Sequence, residues 1–392
     1  MKLTIVLQDR ISDWVSKGEI VAGYFNPADR FTQIDLVLLN NDQPDIQTIR
    51  DLCGTAVCRV FNLPILNMKT LLLTLAWQPA LLKNRLSSLL AWSCEEPPDV
   101  VRAIETDLAC YCAQQLAMGA RCSFVISLHS TPDFEALTRF APVKDRLVRY
   151  LTRRAGNHAK LEATGIMAVY HSILAALPKI QLEKAHVIPN IVGISDHHIK
   201  QHYSTGNPVK LVTVGRLVQG KSPELMLHAL SLTENITLDV IGDGPLRDPL
   251  AQLVQEKGLI NRVKFIRQIP NPELCGLLAN YDAFVFRSDY QECPKTLIEA
   301  ALTGLPIICP DDISERITEL GGFPLIGCKD STEGFADAFK EIAGNIKLRS
   351  RSGKMTRQLA QQLWSPQNCA RKAGNYLVSM AGKRHQELLI DE

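Results

Sequence analysis

Short apolar runs alternate with longer amphipathic stretches along the whole chain. The short runs are typical of buried strands, and the stretches between them repeat with the period of a helix. This alternation predicts an α/β fold, with βα units arranged around parallel sheets. The predicted strands are Leu3–Leu7, Ile34–Leu39, Ala56–Phe61, Ser123–Leu128, Gly165–Tyr170 and His186–Ile188 in the first half, then Lys210–Val214, Thr237–Ile241, Val263–Ile266, Ala283–Phe286 and Pro306–Cys309.

A polar stretch from Gly193 to Pro208, punctuated by Gly and Pro, separates the two sets of strands. It predicts a hinge over residues 193–208 between two doubly wound domains, 1–192 and 209–364. Two such domains would form a cleft lined by the carboxyl ends of both sheets, where ligands of open α/β folds bind. Architecture of this kind does not by itself define a reaction.

The composition is that of a globular protein, with 46% hydrophobic and 21% charged residues among 392. The net charge of +2 gives no argument for nucleic acid as a partner. Eleven scattered cysteines suggest reduced thiols, and Met1–Gln8 suits a first buried strand better than a signal peptide. No run of eighteen apolar residues lacks a charge. We therefore expect a cytoplasmic protein, and the isolated Cys110 and Cys112 predict no metal site.

Three loops in the second half carry candidate chemistry, and the first follows the strand that ends at Val214. Gly215–Ser222 matches the P-loop pattern of nucleoside triphosphatases literally. However, Pro223 follows at once, and no acidic magnesium partner is evident after a later strand. The favoured interpretation is that Arg216 and Lys221 reach a diphosphate, with Gly215 allowing close approach. A plain solvated turn remains the alternative.

The second loop is the glycine turn Gly242-Asp243-Gly244-Pro245, which is weak evidence alone because such turns commonly just end a strand. The third is stronger: an apolar strand enters a polar loop, Pro294 opens a helix and Gly304 ends it. The free amides at the start of that helix suit an anion such as a diphosphate. Glu299 lies deeper in the helix, where its carboxylate could accept both ribose hydroxyls or simply pair with a neighbour. The candidate donor-binding residues of this segment are Cys293, Pro294, Lys295, Thr296, Leu297 and Glu299.

Together these segments resemble family 4 of the retaining glycosyltransferases, which have the GT-B fold of two Rossmann-like domains facing each other across a cleft. The resemblance covers roughly Lys210 to Trp364. It is carried by the Arg216–Lys221 spacing, the glycine turn, and the acidic motif followed by an Ala-rich helix and Gly-Leu-Pro. His186–Asn190 resembles the family's exit from its first domain. Trp364-Ser365-Pro366 resembles the start of its closing helix, so residues 365–392 are expected to cross back to the N-terminal domain.

The resemblance implies a metal-independent transfer of a hexosyl unit from a nucleoside diphosphate sugar, with no cofactor and with retention of the anomeric configuration. It assigns Arg216 and Lys221 to the diphosphate, and it implies a glycine-rich loop after the first strand, for which Gly18 is the one nearby glycine. It also implies a histidine that contacts the transferred sugar, and His129 follows an apolar strand. The family places seven residues between its two acids, whereas Glu292 and Glu299 have six between them; Gln291 would keep the spacing, but Glu292 keeps the chemistry and is preferred.

The acceptor is expected to be a glycan, a lipid-linked molecule or a small molecule, which the resemblance does not decide. Residues 139–160 are rich in Lys and Arg, and they could face an anionic membrane surface or form a solvated basic face. The Leu-rich stretch Met68–Trp92 is a second candidate for such contact. Competing hypotheses are a nucleotide-sugar epimerase of GT-B fold, a nucleotide-sugar-binding protein without turnover, and a hydrolase that uses Glu292 and Glu299.

Overall fold

The structure is a computed structural model that describes residues 1–64, 86–105, 108–129, 150, 156–194, 198–203 and 207–388. The chain forms two compact units. The first comprises Met1–Ser16, Ile20–Pro189 and Cys369–Glu392, and the second comprises Lys17–Glu19 and Asn190–Asn368. The division after Pro189 lies a few residues before the predicted hinge at 193–208.

The first unit contains a seven-stranded sheet in the order β3-β2-β1-β4-β5-β6-β7. Neighbouring strands of this sheet are all parallel, and the central strands are buried along their whole length, as expected when both faces of a parallel sheet are covered. The strands are β1 (Lys2–Leu7), β2 (Gln33–Leu38), β3 (Val57–Asn62), β4 (Val100–Ile104), β5 (Ser123–Leu128), β6 (Gly165–Ala168) and β7 (Ala185–Val187).

The helices of this unit include the last one of the chain. Within the described ranges they are α1 (Ile11–Ser16), α2 (Ile46–Cys53), α3 (Ser87–Glu95), α4 (Leu108–Ala120), α5 (His171–Ala175), α6 (Lys179–Leu182) and, at the end of the chain, Pro366–Leu388. That final helix begins where Pro366 predicted a helix. Ala373, Tyr376, Leu377 and Met380 recur at the spacing of one helix face and join the core of the first unit.

The second unit contains a six-stranded parallel sheet in the order β10-β9-β8-β11-β12-β13. The strand order reverses between β8 and β11, so the loops that follow these two strands border the switch point where open α/β sheets bind ligands. The strands are β8 (Val209–Val214), β9 (Ile236–Ile241), β10 (Val263–Ile266), β11 (Ala283–Val285), β12 (Ile307–Pro310) and β13 (Ile326–Cys328).

Helices pack around this sheet, and its core includes Leu211, Leu238, Val285, Phe335 and Phe339. The helices are α7 (Glu224–Ser231), α8 (Arg247–Glu256), α9 (Asn271–Leu278), α10 (Lys295–Thr303), α11 (Asp311–Arg316), α12 (Thr332–Gly344) and α13 (Ile346–Trp364), so the final helix Pro366–Leu388 is α14. Helix α10 confirms the predicted bounds: Pro294 caps its start and Gly304 ends it in the left-handed conformation at φ 92°.

Each predicted strand has a counterpart in the structure, with ends that differ by a few residues. Two strands, β4 and β13, were not predicted. In β4 the buried Arg102 interrupts the run Val100–Ile104, so the segment lacks a continuous apolar pattern. Strand β13 has only three residues, one of them Gly327, which is too short for a periodic signal.

Both predicted membrane-contact segments fall largely outside the described residues. Of 139–160, only residue 150 and residues 156–160 are described, and of Met68–Trp92, only 86–92. Among the helices of the described ranges, none combines the length and apolar character needed to cross a membrane.

Candidate functional site

The loop after β8 and the loop after β11 are held together at the switch point of the second unit. The backbone amide of Asp289 donates to the Gly220 carbonyl at 2.8 Å, and the Tyr290 hydroxyl donates to the Gln219 carbonyl at 2.9 Å. Gly220 has φ 84°, and a Cβ there would lie 2.6 Å from the Tyr290 hydroxyl oxygen. This close approach therefore requires glycine.

The predicted glycine turn after β9 is joined to the same loop. Gly242 and Gly244 have φ values of 148° and 154°, and a Cβ on either would overlap a backbone carbonyl, that of Gly215 or of Leu217. The Leu217 amide donates to the Asp243 carbonyl at 3.0 Å. Both glycines thus permit a close approach between two backbones, which side chains at these positions would prevent.

Lys221 and Glu292, both predicted from the sequence, form an ion pair in this unit. Glu292 is buried, and its carboxylate also accepts a hydrogen bond from the Ser288 hydroxyl at 3.3 Å. Gln291, the alternative first acidic position, is exposed. The ammonium of Lys221 lies 5.7 Å from the centre of the Tyr290 ring. The cation is therefore held between a carboxylate and an aromatic face.

The start of α10 lies beside these residues. Thr296 Oγ1 donates to the Val214 carbonyl at 3.5 Å, which joins the first turn of the helix to the end of β8. A cavity of about 180 Å³ is lined by Lys221, Glu292, Pro294, Lys295 and Thr296, together with residues of the strand ends. The helix start and a cation therefore border one space, an arrangement that favours an anion.

A second cavity of about 480 Å³ is lined in part by Arg216, Gly242, Asp243, Asn271 and Glu299. Arg216 is exposed, in contrast to the half-buried Lys221. The two cavities are adjacent, because they share the lining residues Val214, Gly215, Ile241, Lys295 and Thr296. Cys293 and Leu297 are buried and belong to neither lining.

Glu299 is fully buried, which is unusual for a carboxylate. Its Oε1 accepts a hydrogen bond from Asn271 Nδ2 at 2.8 Å and lies 3.9 Å from the Lys295 ammonium. Its Oε2 has no hydrogen-bond partner within the described part of the chain. Burial is the main cause that raises the pKa of Glu299 to about 7, against the smaller lowering effects of Lys295 and Asn271. A buried oxygen of this kind is a ready acceptor for a ligand hydroxyl.

Gly18 lies in the short segment Lys17–Glu19, which groups with the second unit. The Lys17 carbonyl accepts a hydrogen bond from the Asn271 amide at 3.2 Å. Gly18 has φ 65°, and a Cβ there would lie 2.7 Å from that amide nitrogen. Lys17 and Glu19 line the 480 Å³ cavity. Gly18 is thus a position of close backbone approach beside the residue that contacts Glu299.

His129 belongs to the first unit, where it directly follows β5 and is half-buried. Its backbone amide donates to Glu105 Oε1 at 3.1 Å, and its carbonyl accepts from the Tyr170 hydroxyl at 3.4 Å. Its Nε2 lies 3.4 Å from the Tyr24 hydroxyl. The sequence singled out His129 but not these partners.

Sequence reasoning also missed Asn271 and Arg287. Arg287 forms two hydrogen bonds with Asp330, at 2.8 and 3.0 Å, and an ion pair with Asp289, so it braces the loop that contains Tyr290 and Glu292. Asn271 stands at the first position of α9, and its side chain contacts Glu299 twenty-eight positions away, so no local pattern predicts its role. Asp330 lies forty-three positions after Arg287 in the sequence, so no local pattern predicts their contact.

The two doubly wound units have the fold of the GT-B glycosyltransferases, as predicted. Residues 195–358 match the protein-family model described as "Glycosyl transferases group 1", which covers the loops and the helix described above. The matched residues lie within the second unit, Asn190–Asn368.

Among curated relatives, the lipopolysaccharide core biosynthesis glycosyltransferase LpsD of Rhizobium meliloti is 32% identical over 143 residues, which cover 36% of this chain and 41% of LpsD. A Campylobacter jejuni N-acetylgalactosaminyltransferase that acts on a diphospho-undecaprenol compound is 26% identical over 171 residues, or 43% of this chain and 46% of that protein. These alignments span less than half of either relative.

Among solved structures, Anabaena HepE in complex with UDP has a TM-score of 0.67 and 18% identity, over 97% of this chain and 100% of HepE. The lipopolysaccharide outer core galactosyltransferase WaaB has a TM-score of 0.64 and 16% identity, over 97% of this chain and 99% of WaaB. Likeness at this level of identity establishes the fold.

Proposed function

We propose that this protein is a retaining glycosyltransferase that moves a hexosyl unit from a nucleoside diphosphate sugar to a glycan or lipid-linked acceptor without a metal ion. The observation that carries the proposal is the pair of adjacent cavities in the second unit. One is lined by Lys221 and the start of α10, and the other by Arg216 and the buried Glu299. These groups match a diphosphate and a ribose placed side by side.

The diphosphate would lie against Lys221, Arg216 and the amides at the start of α10. When the glycosidic bond breaks, negative charge builds on the leaving diphosphate. Fixed cations and helix-terminal amides stabilise that charge without reorganising, which can supply what a metal supplies elsewhere. The ion pair with Glu292 and the nearby Tyr290 ring support this role, because they hold the Lys221 ammonium in one place before the donor binds.

The ribose would hydrogen-bond to Glu299. One carboxylate oxygen is already engaged by Asn271, and the buried Oε2 is left to accept a hydroxyl. A ligand hydroxyl would offset the cost of burying this oxygen without a partner. UDP and UDP-glucose are the first ligands to test, since both occur in the HepE structures.

Glu292 would fill the first acidic position of the family motif and contact the transferred sugar. Its burial and its pairing with Lys221 support this assignment over the exposed Gln291. We assign His129 to the transferred sugar as well, on the family resemblance. The acceptor oxygen forms a bond to the anomeric carbon as the bond from that carbon to the diphosphate breaks. A phosphate oxygen of the leaving diphosphate receives the acceptor's proton, and the anomeric configuration is retained.

For the acceptor, we propose a component of a surface polysaccharide or lipopolysaccharide. The names of LpsD and of the Campylobacter enzyme, which acts on a lipid-linked diphosphate, support this class. We place the reaction in the cytoplasm, where residues 139–160, which lie largely outside the described residues, would bring the protein to an anionic membrane surface.

Incubation with a panel of UDP-, GDP- and ADP-sugars, with nucleotide release measured with and without acceptor glycans, tests the proposal. We expect release that depends on the acceptor and persists in EDTA, and we expect one nucleoside diphosphate to raise the melting temperature. Isomerised sugar with no nucleotide release would instead indicate an epimerase. Tight binding without turnover across the panel would indicate a nucleotide-sugar-binding protein.

A further inference from the structure

Tyr24 is held rigidly in the first unit. The loop around it is attached to α2, because the amides of Gly23 and Phe25 donate to the carbonyls of Asp51 and Leu52 at 2.7 and 2.9 Å. The Tyr24 ring meets Trp14 edge-on at 6.0 Å. A ring fixed by backbone hydrogen bonds and aromatic contacts directs its hydroxyl to one place.

A buried arginine supports the same ring. Arg102, in the middle of β4, is only 4% exposed, and its guanidinium lies 5.7 Å from the centre of the Tyr24 ring. Its Nε donates to the Ser127 hydroxyl at 2.8 Å, and Ser127 stands two positions before His129 on β5. Arg102 therefore connects Tyr24 to the strand that presents His129. Burying a charged arginine in a parallel sheet costs free energy, which argues for a functional role of Arg102.

The backbone of His129 is also fixed. Its amide and carbonyl are bound by the side chains of Glu105 and Tyr170. Glu105 itself has φ 69°, a conformation that non-glycine residues seldom adopt. With the backbone held at both ends, the remaining freedom of His129 lies in its ring, and the ring nitrogen Nε2 is the atom beside the Tyr24 hydroxyl.

A neutral imidazole has one nitrogen that donates and one that accepts, and a partner on one nitrogen decides the other. Burial, the largest effect, raises the pKa of Tyr24, so its hydroxyl keeps its proton at neutral pH and can donate. We propose that Tyr24 is a positioning residue that donates to Nε2 of His129 and fixes the tautomer with the proton on Nδ1. Its meaning for sugar transfer rests on the proposed function.

The ring-nitrogen spectrum of histidine tests this inference without any donor sugar. In protein labelled with ¹⁵N-histidine at a pH where the ring is neutral, the His129 signals are assigned by their loss in His129→Gln. We expect a protonated Nδ1 and an unprotonated Nε2 in the unmodified protein. In Tyr24→Phe, which removes only the hydroxyl, we expect the proton to redistribute toward Nε2.

Tyr376→Phe is the matched control. Its hydroxyl is also hydrogen-bonded in the first unit, to the Lys184 carbonyl at 3.0 Å, but at the amino end of β7, the edge of the sheet opposite His129. We expect this variant to keep the unmodified tautomer. Unchanged His129 signals in Tyr24→Phe, or a proton on Nε2 in the unmodified protein, would overturn the inference.

Turnover gives a second measurement. With the donor identified by the screen above, Tyr24→Phe should lower kcat by roughly three- to tenfold, the scale of one hydrogen bond, and leave KM for the donor nearly unchanged. An equal loss in Tyr376→Phe would show a merely structural effect. If the unmodified protein transfers no sugar, the proposed function fails, while the tautomer result still decides the role of Tyr24.

Discussion

The two units have the same doubly wound construction, but they assemble their candidate chemistry differently. In the second unit, the groups predicted from motifs come from three loops after β8, β9 and β11 and from the first turns of α10, each a continuous stretch of sequence. In the first unit, His129 is held by Tyr24, Glu105 and Tyr170, which lie 105, 24 and 41 positions away along the chain.

This difference follows from whether a site is built from backbone groups or from side chains. A diphosphate site is built mainly from backbone, since helix amides and glycine turns require particular residues at consecutive positions. A histidine held by side chains requires only that four strands and loops end at the same sheet edge, and the topology supplies that. A histidine site of this kind therefore appears in the sequence as isolated residues, whereas a diphosphate site appears as motifs.

The largest expected effect tests the motif-rich unit. Lys221→Ala removes the cation and leaves the buried Glu292 without its ion pair. We expect turnover to fall roughly a hundredfold or more, the scale seen when one preorganised donor to a developing anion is lost. The measurement is kcat/KM with the donor found in the screen.

The control for Lys221 is Lys264→Ala, at an exposed lysine of β10 in the same unit. It changes the net charge equally, and we expect activity to stay within a factor of two. Comparable losses in both variants would mean that overall charge, and not the position of Lys221, explains the effect.

The next effect concerns Glu299, whose carboxylate we assign to the ribose. Glu299→Gln keeps the shape and removes the charge, and a hydrogen bond to a charged acceptor contributes roughly 1.5–3 kcal/mol, or about 10- to 150-fold in Kd. Because the pKa of Glu299 is about 7, donor affinity should also fall as the pH drops below 7, when the carboxyl becomes neutral. Calorimetry measures both the loss of affinity and its pH dependence. UDP-glucose is used in place of UDP, because the terminal phosphate of UDP would itself titrate at about pH 6. If the donor affinity of Glu299→Gln showed the same pH dependence as the unmodified protein, the assignment of Glu299 to the ribose would be contradicted.

The same substitution should stabilise the protein without ligand. The pKa of Glu299 is raised in the folded state, from 4.5 to about 7, so the folded protein binds this proton more tightly than the unfolded chain does. Stability is therefore lost as the pH rises from about 4.5 to 7, by roughly 3 kcal/mol in total. At pH 8 we expect Glu299→Gln to unfold at higher denaturant concentration than the unmodified protein. A lower midpoint at pH 8 would contradict a carboxylate destabilised by burial.

Much of the fold could be predicted from the sequence, since apolar runs identified eleven strands and the residues Pro294 and Gly304 identified the ends of α10. The sequence did not predict β4, where a charged side chain lies within an apolar strand. Arg102 concealed β4, because a charge in a short apolar run normally indicates a surface segment, and only the tertiary contacts with Ser127 and Tyr24 explain it. The same residue therefore accounts for a missed strand and supports Tyr24, which the sequence did not predict as a partner of His129.

Part of the candidate site stands in motifs of the sequence. Lys221, Glu292 and Glu299 stand in motifs, and the structure brings the first two into contact. Asn271 and Arg287 could not be predicted, because their importance lies in contacts with residues twenty-eight and forty-three positions away. The functional assignments of these residues remain predictions that the experiments described here address.

The comparison between the units is sharpened by His129→Ala. We expect turnover to fall roughly tenfold, about the value of one hydrogen bond, while the affinity for a nucleoside diphosphate stays unchanged, because the groups assigned to the nucleotide belong to the second unit. Equilibrium binding of UDP, measured beside kcat, separates the two effects. A His129→Ala variant that loses nucleotide affinity as strongly as Lys221→Ala would contradict this division of roles.

The smallest effect concerns Asn271, a residue in the second unit that no motif predicted. Its hydrogen bond to Oε1 stabilises the ionised form of Glu299, so Asn271→Ala should raise the pKa of that carboxyl further. Donor affinity at pH 7 should fall by about fivefold, the value of one hydrogen bond, and the pH midpoint of binding should move upward. The double variant Asn271→Ala/Glu299→Gln should bind no more weakly than Glu299→Gln alone, since Asn271 acts only through the carboxylate. An unmoved midpoint in Asn271→Ala, or additive losses in the double variant, would mean that Asn271 contributes to the cavity in some other way.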